Sequence, residues 1–307
     1  MTERVLFDTD PGCDDALMLA MAFGHPDVDV VGLTTVAGNT TVENTTANAR
    51  AIASFAGAEI PVVRGAGRPL VSDLSTAEWV HGERGLRGRE LLPDADGERG
   101  DRHAAAHIVA AAREYGADLT IAAVGPFTNF ALALALEPDL PEMVGDIYVM
   151  GGATLTAGNV TPAAEANVHN DPEAASRVVQ DCRANLVGLD VTMEATLPFD
   201  LPDYLDDTHP WKGVVSEWLD YPAEVNDFVE DSGYAVHDAA VAADLIGGVL
   251  DFEPYHVEVD TSQGPSRGST ICDYHGIGDE AANTDVAVAI DTEGFRECFL
   301  ESMEGLR

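Results

Sequence analysis

Lysine is all but missing from this chain. Lys212 is the only one, and arginine supplies the rest of the 16 basic residues that face 54 acidic ones, for a formal net charge of −38. A surface this acidic repels nucleic acid and anionic membranes, which argues against both as partners. Such an excess of carboxylates with so little lysine points to adaptation to high salt, where screening removes the self-repulsion felt in dilute buffer. Cysteine is scarce too. Cys13, Cys182, Cys272 and Cys298 are too scattered for a disulfide framework, and no CxxC spacing suggests zinc. No apolar run approaches the roughly 18 residues of a membrane span. The opening MTERVLFDTDPG shows no basic-then-apolar leader. A reducing, cytoplasmic setting is therefore expected.

What is present is a core-forming composition: 46% of the residues are apolar, enough to exclude disorder. Short apolar runs alternate with helix-like stretches. Val5–Phe7 leads to Asp8-Thr9-Asp10, Val28–Val36 to Ala37-Gly38-Asn39, Leu119–Val124 to Gly125-Pro126, Asp146–Met150 to Gly151-Gly152, and Leu186–Val191 to Thr192. Ala-rich segments at 43–56, 103–115 and 172–184 read as helices. Strand, polar turn and helix in repetition predict an α/β fold over residues 1–307: one large domain with a mainly parallel, Rossmann-like sheet covered by helices on both faces. Ligands of such sheets bind at the carboxyl ends of the strands, where these polar residues gather. Residues 73–102, rich in Gly and Arg, read as a mobile loop over that rim. Residues 198–236, rich in Pro, Asp and aromatics, read as a lid-like helical insertion. Tyr255–Asp260 and Ser269–Cys272 read as a C-terminal hairpin at the sheet edge.

The segment Asp8-Thr9-Asp10-Pro11-Gly12-Cys13-Asp14-Asp15 places four carboxylates within eight residues at a strand-to-helix turn. One or two could cap the helix and complement its dipole. Four exceed that need, and crowded carboxylates repel unless a cation holds them; a hard divalent ion with oxygen ligands fits best. Asp14 and Asp15, consecutive in a helix, point about 100° apart, so one can reach a metal while the other faces a ligand. A D-x-D after a first strand also occurs in aspartyl phosphohydrolases that use Mg²⁺. Those need a small hydroxylated or branched residue where Cys13 stands, and a later lysine to neutralise phosphate, for which only Lys212 is available.

DTDPGCDDA, followed in order by TTVAGN, HGERG, VGPFTN, VMGG, PAAEANVHNDPEAA and HDAAV, resembles the inosine–uridine-preferring nucleoside hydrolases from Val5 to about Asp291. The resemblance implies hydrolysis of the N-glycosidic bond of ribonucleosides, with Ca²⁺ as cofactor, a small nucleoside as substrate and a homodimer or homotetramer as assembly. It implies a metal held by Asp10, Asp15, Asp238 and the backbone carbonyl of Thr128, with Asp10 also as general base. Without it, Thr128 reads as a turn or cap residue. Ribose recognition falls to Asp14, Asn39, Asn159, Glu165 and Asn167; an extended backbone would put Glu165 and Asn167 on one face. Met150, at a strand end, would wall the sugar or pack in the core. Asp171-Pro172 reads as a helix N-cap with proline at the first helical position, which leaves Asp171 out of the site.

His237, beside a metal ligand, is the expected donor to the leaving base, and His81 a second base contact or an exposed loop histidine. Tyr221, Phe228 and Tyr234 are further base-contact candidates. Two histidines favour pyrimidine nucleosides or broad specificity. The alternatives are a non-catalytic nucleoside-binding protein on the same scaffold and the aspartyl phosphohydrolase above. The intact Asp10 argues against the first.

Overall fold

The computed structural model describes residues 2–95, 102–225 and 233–306. Eight strands form one sheet: β1 (Glu3–Thr9), β2 (Val28–Thr35), β3 (Val62–Arg64), β4 (Leu119–Ala123), β5 (Asp146–Met150), β6 (Asn185–Val187), and, beyond the short β7 (Thr196–Leu197) and β8 (Tyr234–Ala235), β9 (Leu250–Tyr255) and, last in sequence, β12 (Thr284–Ile290). The order is β3-β2-β1-β4-β5-β6-β12-β9. Every pairing is parallel except β12 with β9.

Alternation along β1 explains the layering. Val5 and Phe7 enter one core with the helices Cys13–Gly24, Ala239–Gly247 and Thr292–Gly305; Leu6 enters the other, with Ala104–Tyr115, Thr128–Leu136 and Pro172–Asp181. Helix Cys13–Gly24 is buried almost throughout. A methyl group on Gly24 would overlap the Ser302 carbonyl, so this helix and the C-terminal one touch backbone to backbone.

The chain runs outward from β1 to β2 and β3, then returns to place β4 on the other side of β1. The order reverses there, which opens a crevice at the carboxyl ends of β1 and β4. Asp8–Asp10 leave one strand and Gly125-Pro126 follow the other.

Three details differ from the sequence expectation. The run Leu186–Val191 is not one strand: β6 ends at Val187, Gly188 caps a one-turn helix, and Leu189–Thr192 is helical. The hairpin of β10 (Val257–Val259) and β11 (Thr270–Cys272) forms a two-stranded sheet of its own, and β9 occupies the edge of the main sheet. Third, β7 and β8 pair antiparallel, Thr196 with Ala235 and Leu197 with Tyr234, at the two ends of the 198–233 segment. That segment contains helix Lys212–Val225. Phe228 and the side chain of Tyr221 lie outside the described residues, as do residues 96–101. The rest of 73–95 packs down through buried His81, Leu86 and Leu92, and Trp218 Nε1 donates to the Arg87 carbonyl at 3.0 Å. Among the described residues no helix is long and apolar enough to cross a membrane.

Candidate active site

Asp15 is set by its own helix. At the third helical position its Oδ2 accepts from the Gly12 amide at 3.0 Å and from Asn39 Nδ2 at 3.2 Å; its Oδ1 accepts from the Asp10 amide and the Thr9 hydroxyl. Asp14, one residue earlier, turns elsewhere. Its Oδ1 is buried with no hydrogen-bond partner and lies 3.9 Å from His81 Nδ1. Asp238 precedes helix Ala239–Gly247 and is equally buried. Asp14, Asp15 and Asp238 each offer an oxygen within 4.8 Å of the others.

Asp10 stands beside this group. Its Oδ2 accepts from the Asn39 amide at 2.6 Å. Gly38 and Gly125 flank the carboxylate, and a side chain on either would collide with it. Asn39 thus spends its amide and both side-chain protons on Asp10 and Asp15, which leaves its Oδ1 for a ligand.

Burial pushes the Asp10 carboxyl well above the usual range, and the Asp15 charge adds to it. Asp15 itself is raised to about 6, by burial first and then by Asp14. Asp238 is raised by burial and next by Asp15. Crowded, desolvated carboxylates of this kind suit a hard divalent cation, which neutralises them through oxygen alone. Asp14 Oδ1, buried without a hydrogen-bond partner, is a further acceptor on a residue of the same group.

The sugar candidates divide. Glu165 is buried and was expected on an extended backbone with Asn167. It instead caps helix Ala166–Asn170, its oxygens accepting from the Asn167, Val168 and Gly152 amides. A carboxylate satisfies free amides at a helix start better than an extended chain could. Asn167, inside that helix, donates to the carbonyls of Val124 (2.6 Å) and Met150 (3.1 Å), so it ties the ends of β4 and β5 and keeps its own oxygen free. Met150 is buried, its sulfur 3.6 Å from Asn167 Nδ2. Asn159 is exposed and accepts from the Ala166 amide at 3.0 Å. Thr128 donates its hydroxyl to Asp171 at 2.7 Å; Asp171 caps the next helix through the Ala174 amide, as its sequence position suggests.

Both histidines reach the cluster. His81 is buried rather than exposed, and burial pulls its pKa down to about 4. His237 is also lowered by burial, with Asp14 opposing. Its Nδ1 lies 2.8 Å from the Thr192 hydroxyl. Tyr234 is buried close enough to feel the charge of Asp14. Lys212, by contrast, pairs with Asp207 at 2.8 Å, which leaves the phosphohydrolase reading without its lysine. Sequence reasoning passed over Thr192 and over Asn129, whose side chain joins Asp8, the Thr35 carbonyl and the Ala66 amide. The only signal of Thr192 was its position just after the run Leu186–Val191, and that of Asn129 its place at the end of the VGPFTN motif.

Residues 5–297 match the family model described as inosine-uridine preferring nucleoside hydrolase. The pyrimidine-specific ribonucleoside hydrolase RihB of Escherichia coli O1:K1 / APEC is 35% identical over 310 residues, 98% of this chain and 97% of its own. Among solved structures, the purine-preferring ribonucleoside hydrolase from Gardnerella vaginalis superposes with a TM-score of 0.91 at 29% identity, over 99% of this chain and 98% of that one. A plant nucleoside hydrolase gives 0.89 at 30% identity over 99% of both chains.

Proposed function

We propose, for a chain that belongs to the inosine–uridine preferring nucleoside hydrolase family and hydrolyses the N-glycosidic bond of ribonucleosides, that the buried aspartates hold a calcium ion and that Asp10 is the base. The carrying observation is the convergence of Asp14, Asp15 and Asp238 beside Asp10. Asp15 and Asp238, with Asp10 and the Thr128 carbonyl, would hold the cation. When bound, it supplies positive charge that lowers the proton affinity of the carboxylates and of a neighbouring water.

Asp10 is braced by Asn39 through Oδ2. Its other oxygen takes the proton of the water that attacks the anomeric carbon. Asp14 Oδ1 and the spare oxygens of Asn39 and Asn167 accept from ribose hydroxyls, which fixes the sugar. His237 and His81 face the departing base. The pyrimidine specificity in the name of the 35% identical relative, with two histidines in place, supports pyrimidine ribonucleosides as substrates here.

The test is release of free base from uridine, cytidine, inosine and guanosine by calcium-saturated enzyme, repeated after chelation. Base release from uridine that chelation stops and calcium restores is the expected result. Tight nucleoside binding without turnover would overturn the reading in favour of a binding protein. Turnover that survives complete metal removal would overturn the calcium assignment.

A further inference from the structure

Thr192 is the end of the one-turn helix Leu189–Thr192, set at the carboxyl end of β6. The turn is rigidly seated. Leu189 donates its amide to the Gly152 carbonyl at 2.8 Å, and the Asp190 carboxylate accepts from the amides of Thr154, Leu155 and Thr156. Thr192 is fully buried, and its amide is used within the turn, on Gly188. Its hydroxyl meets one polar atom among the described residues, His237 Nδ1 at 2.8 Å.

Two arrangements satisfy that distance. If the ring donated from Nδ1, the hydroxyl proton would be left buried with no acceptor, which costs on the order of 1–3 kcal/mol. If the hydroxyl donates, both groups are satisfied and the ring proton must sit on Nε2. Nε2 has no hydrogen-bond partner among the described residues and is not one of the unpartnered buried atoms.

We infer that Thr192 is a positioning residue that holds His237 in the Nε2–H tautomer, so that the ring presents a donor to the leaving base. The inference rests on the reading that His237 faces the base. In the bond-breaking step the electron pair of the glycosidic C–N bond moves onto the base. The negative charge that develops on the base accepts a hydrogen bond from Nε2–H, which stays on the ring; the attacking water forms the new C–O bond and gives its proton to Asp10, and the departing base takes its proton from solvent. Fixed donors aimed at developing charge lower barriers without reorganising.

The experiment compares Thr192→Val, which keeps the shape and removes the hydroxyl, with Thr192→Ser, which keeps it. Each is measured on uridine and on a 4-nitrophenyl riboside, whose leaving group departs unaided. Thr192→Val should lower kcat on uridine about tenfold or more and change the nitrophenyl substrate less than about twofold. Thr192→Ser should restore most of the loss, and Thr192→Val should add nothing in a His237→Ala background. Equal losses on both substrates, or none on either, overturn the inference. If His237→Ala shows no selective loss on uridine, the reading of His237 falls, and the Thr192 inference with it. If His237→Ala shows it and Thr192→Val does not, only the Thr192 inference falls. Should Thr192→Val fail to fold, the ¹⁵N shifts of His237 in the unmodified enzyme decide: a proton on Nδ1 overturns the inference and a proton on Nε2 supports it.

Discussion

The backbone amide of Cys13 donates to Nδ1 of His81 across 3.1 Å and 68 residues of chain. The first helix therefore sets the tautomer of a histidine delivered by the segment after β3. With Nδ1 accepting, the ring's own proton lies on Nε2. His81 and His237 are thus each engaged through Nδ1, one by a helix-start amide and the other by a buried hydroxyl. The Gly12 position explains why the contact is possible: a Cβ there would sit 2.8 Å from both Asn39 Nδ2 and His81 Nδ1.

Metal and pH should act together. Without metal, burial raises the folded pKa of Asp15, like that of Asp8, to about 6 from the usual 3.8. Between these values the native state binds more protons than the unfolded one, so metal-free stability falls as pH rises through that window. A cation needs the ionised forms. The rise in melting temperature on adding calcium should therefore be larger at pH 8 than at pH 5. Melts of chelated and calcium-loaded protein at both values check this; an equal shift at both would contradict it. Asp15→Asn and Asp238→Asn should abolish the shift.

Asp10→Asn should fold and lose nearly all turnover. The amide keeps one carbonyl oxygen but cannot take a proton from water. Loss of a general base alone is worth about 10²–10⁴-fold. Steady-state kinetics on uridine with saturating calcium measure it, and activity within threefold of the parent would remove Asp10 from that role.

Arg267 should matter for stability well away from the cluster. One guanidinium nitrogen donates to Ser72 and to both oxygens of Glu173, while another reaches the Thr261 carbonyl. This fastens the loop between β10 and β11 to helix Pro172–Asp181 and to the loop after β3. The Arg267 side chain is only 15% exposed, so screening is limited. Arg267→Ala should cost about 2 kcal/mol, the worth of a charge-assisted hydrogen-bond set. Chemical denaturation checks it, and a change under about 0.5 kcal/mol would show the clasp to be idle.

Stability should rise with salt. At 0.01 M the Debye length is about 30 Å, so carboxylates across much of a −38 surface repel one another; at 1 M it is about 3 Å. Melts across KCl concentrations at fixed, saturating calcium should climb toward molar salt. A flat or falling series would leave the acidity without this explanation and would not touch the hydrolase assignment.

The sheet was legible because interior parallel strands need apolar residues on both faces, and Val5–Phe7, Leu119–Val124 and Asp146–Met150 are such runs. Asp15 was legible as chemistry because four carboxylates crowd one strand-to-helix turn, and Asp238 only through the resemblance that the HDAAV motif helps to carry. Asp171 was legible as a cap from the proline after it. What escaped depended on contacts distant in sequence. Nothing local separates a buried His81 from an exposed one; the Cys13 amide and the packing of Leu86 decide it. Glu165 and Asn167 follow no strand pattern, and the helix that turns Glu165 onto its own amides is only five residues long. Thr192 gains meaning only beside His237, 45 residues on.

The two-rung pairing of β7 with β8 sets where the chain can change in length. Leu197 and Tyr234 face each other across it, so the 198–233 segment leaves and re-enters the domain at one closed gate. Once a loop's ends are clamped, doubling its length costs only about 0.6 kcal/mol. Insertions in its exposed turns, outside helix Lys212–Val225 whose Val215, Trp218 and Leu219 are buried in the core, should therefore cost little while the aspartates, fixed by β1 and by helices Cys13–Gly24 and Ala239–Gly247, stay in register. Chain length can in this way vary beside the site without moving the carboxylates.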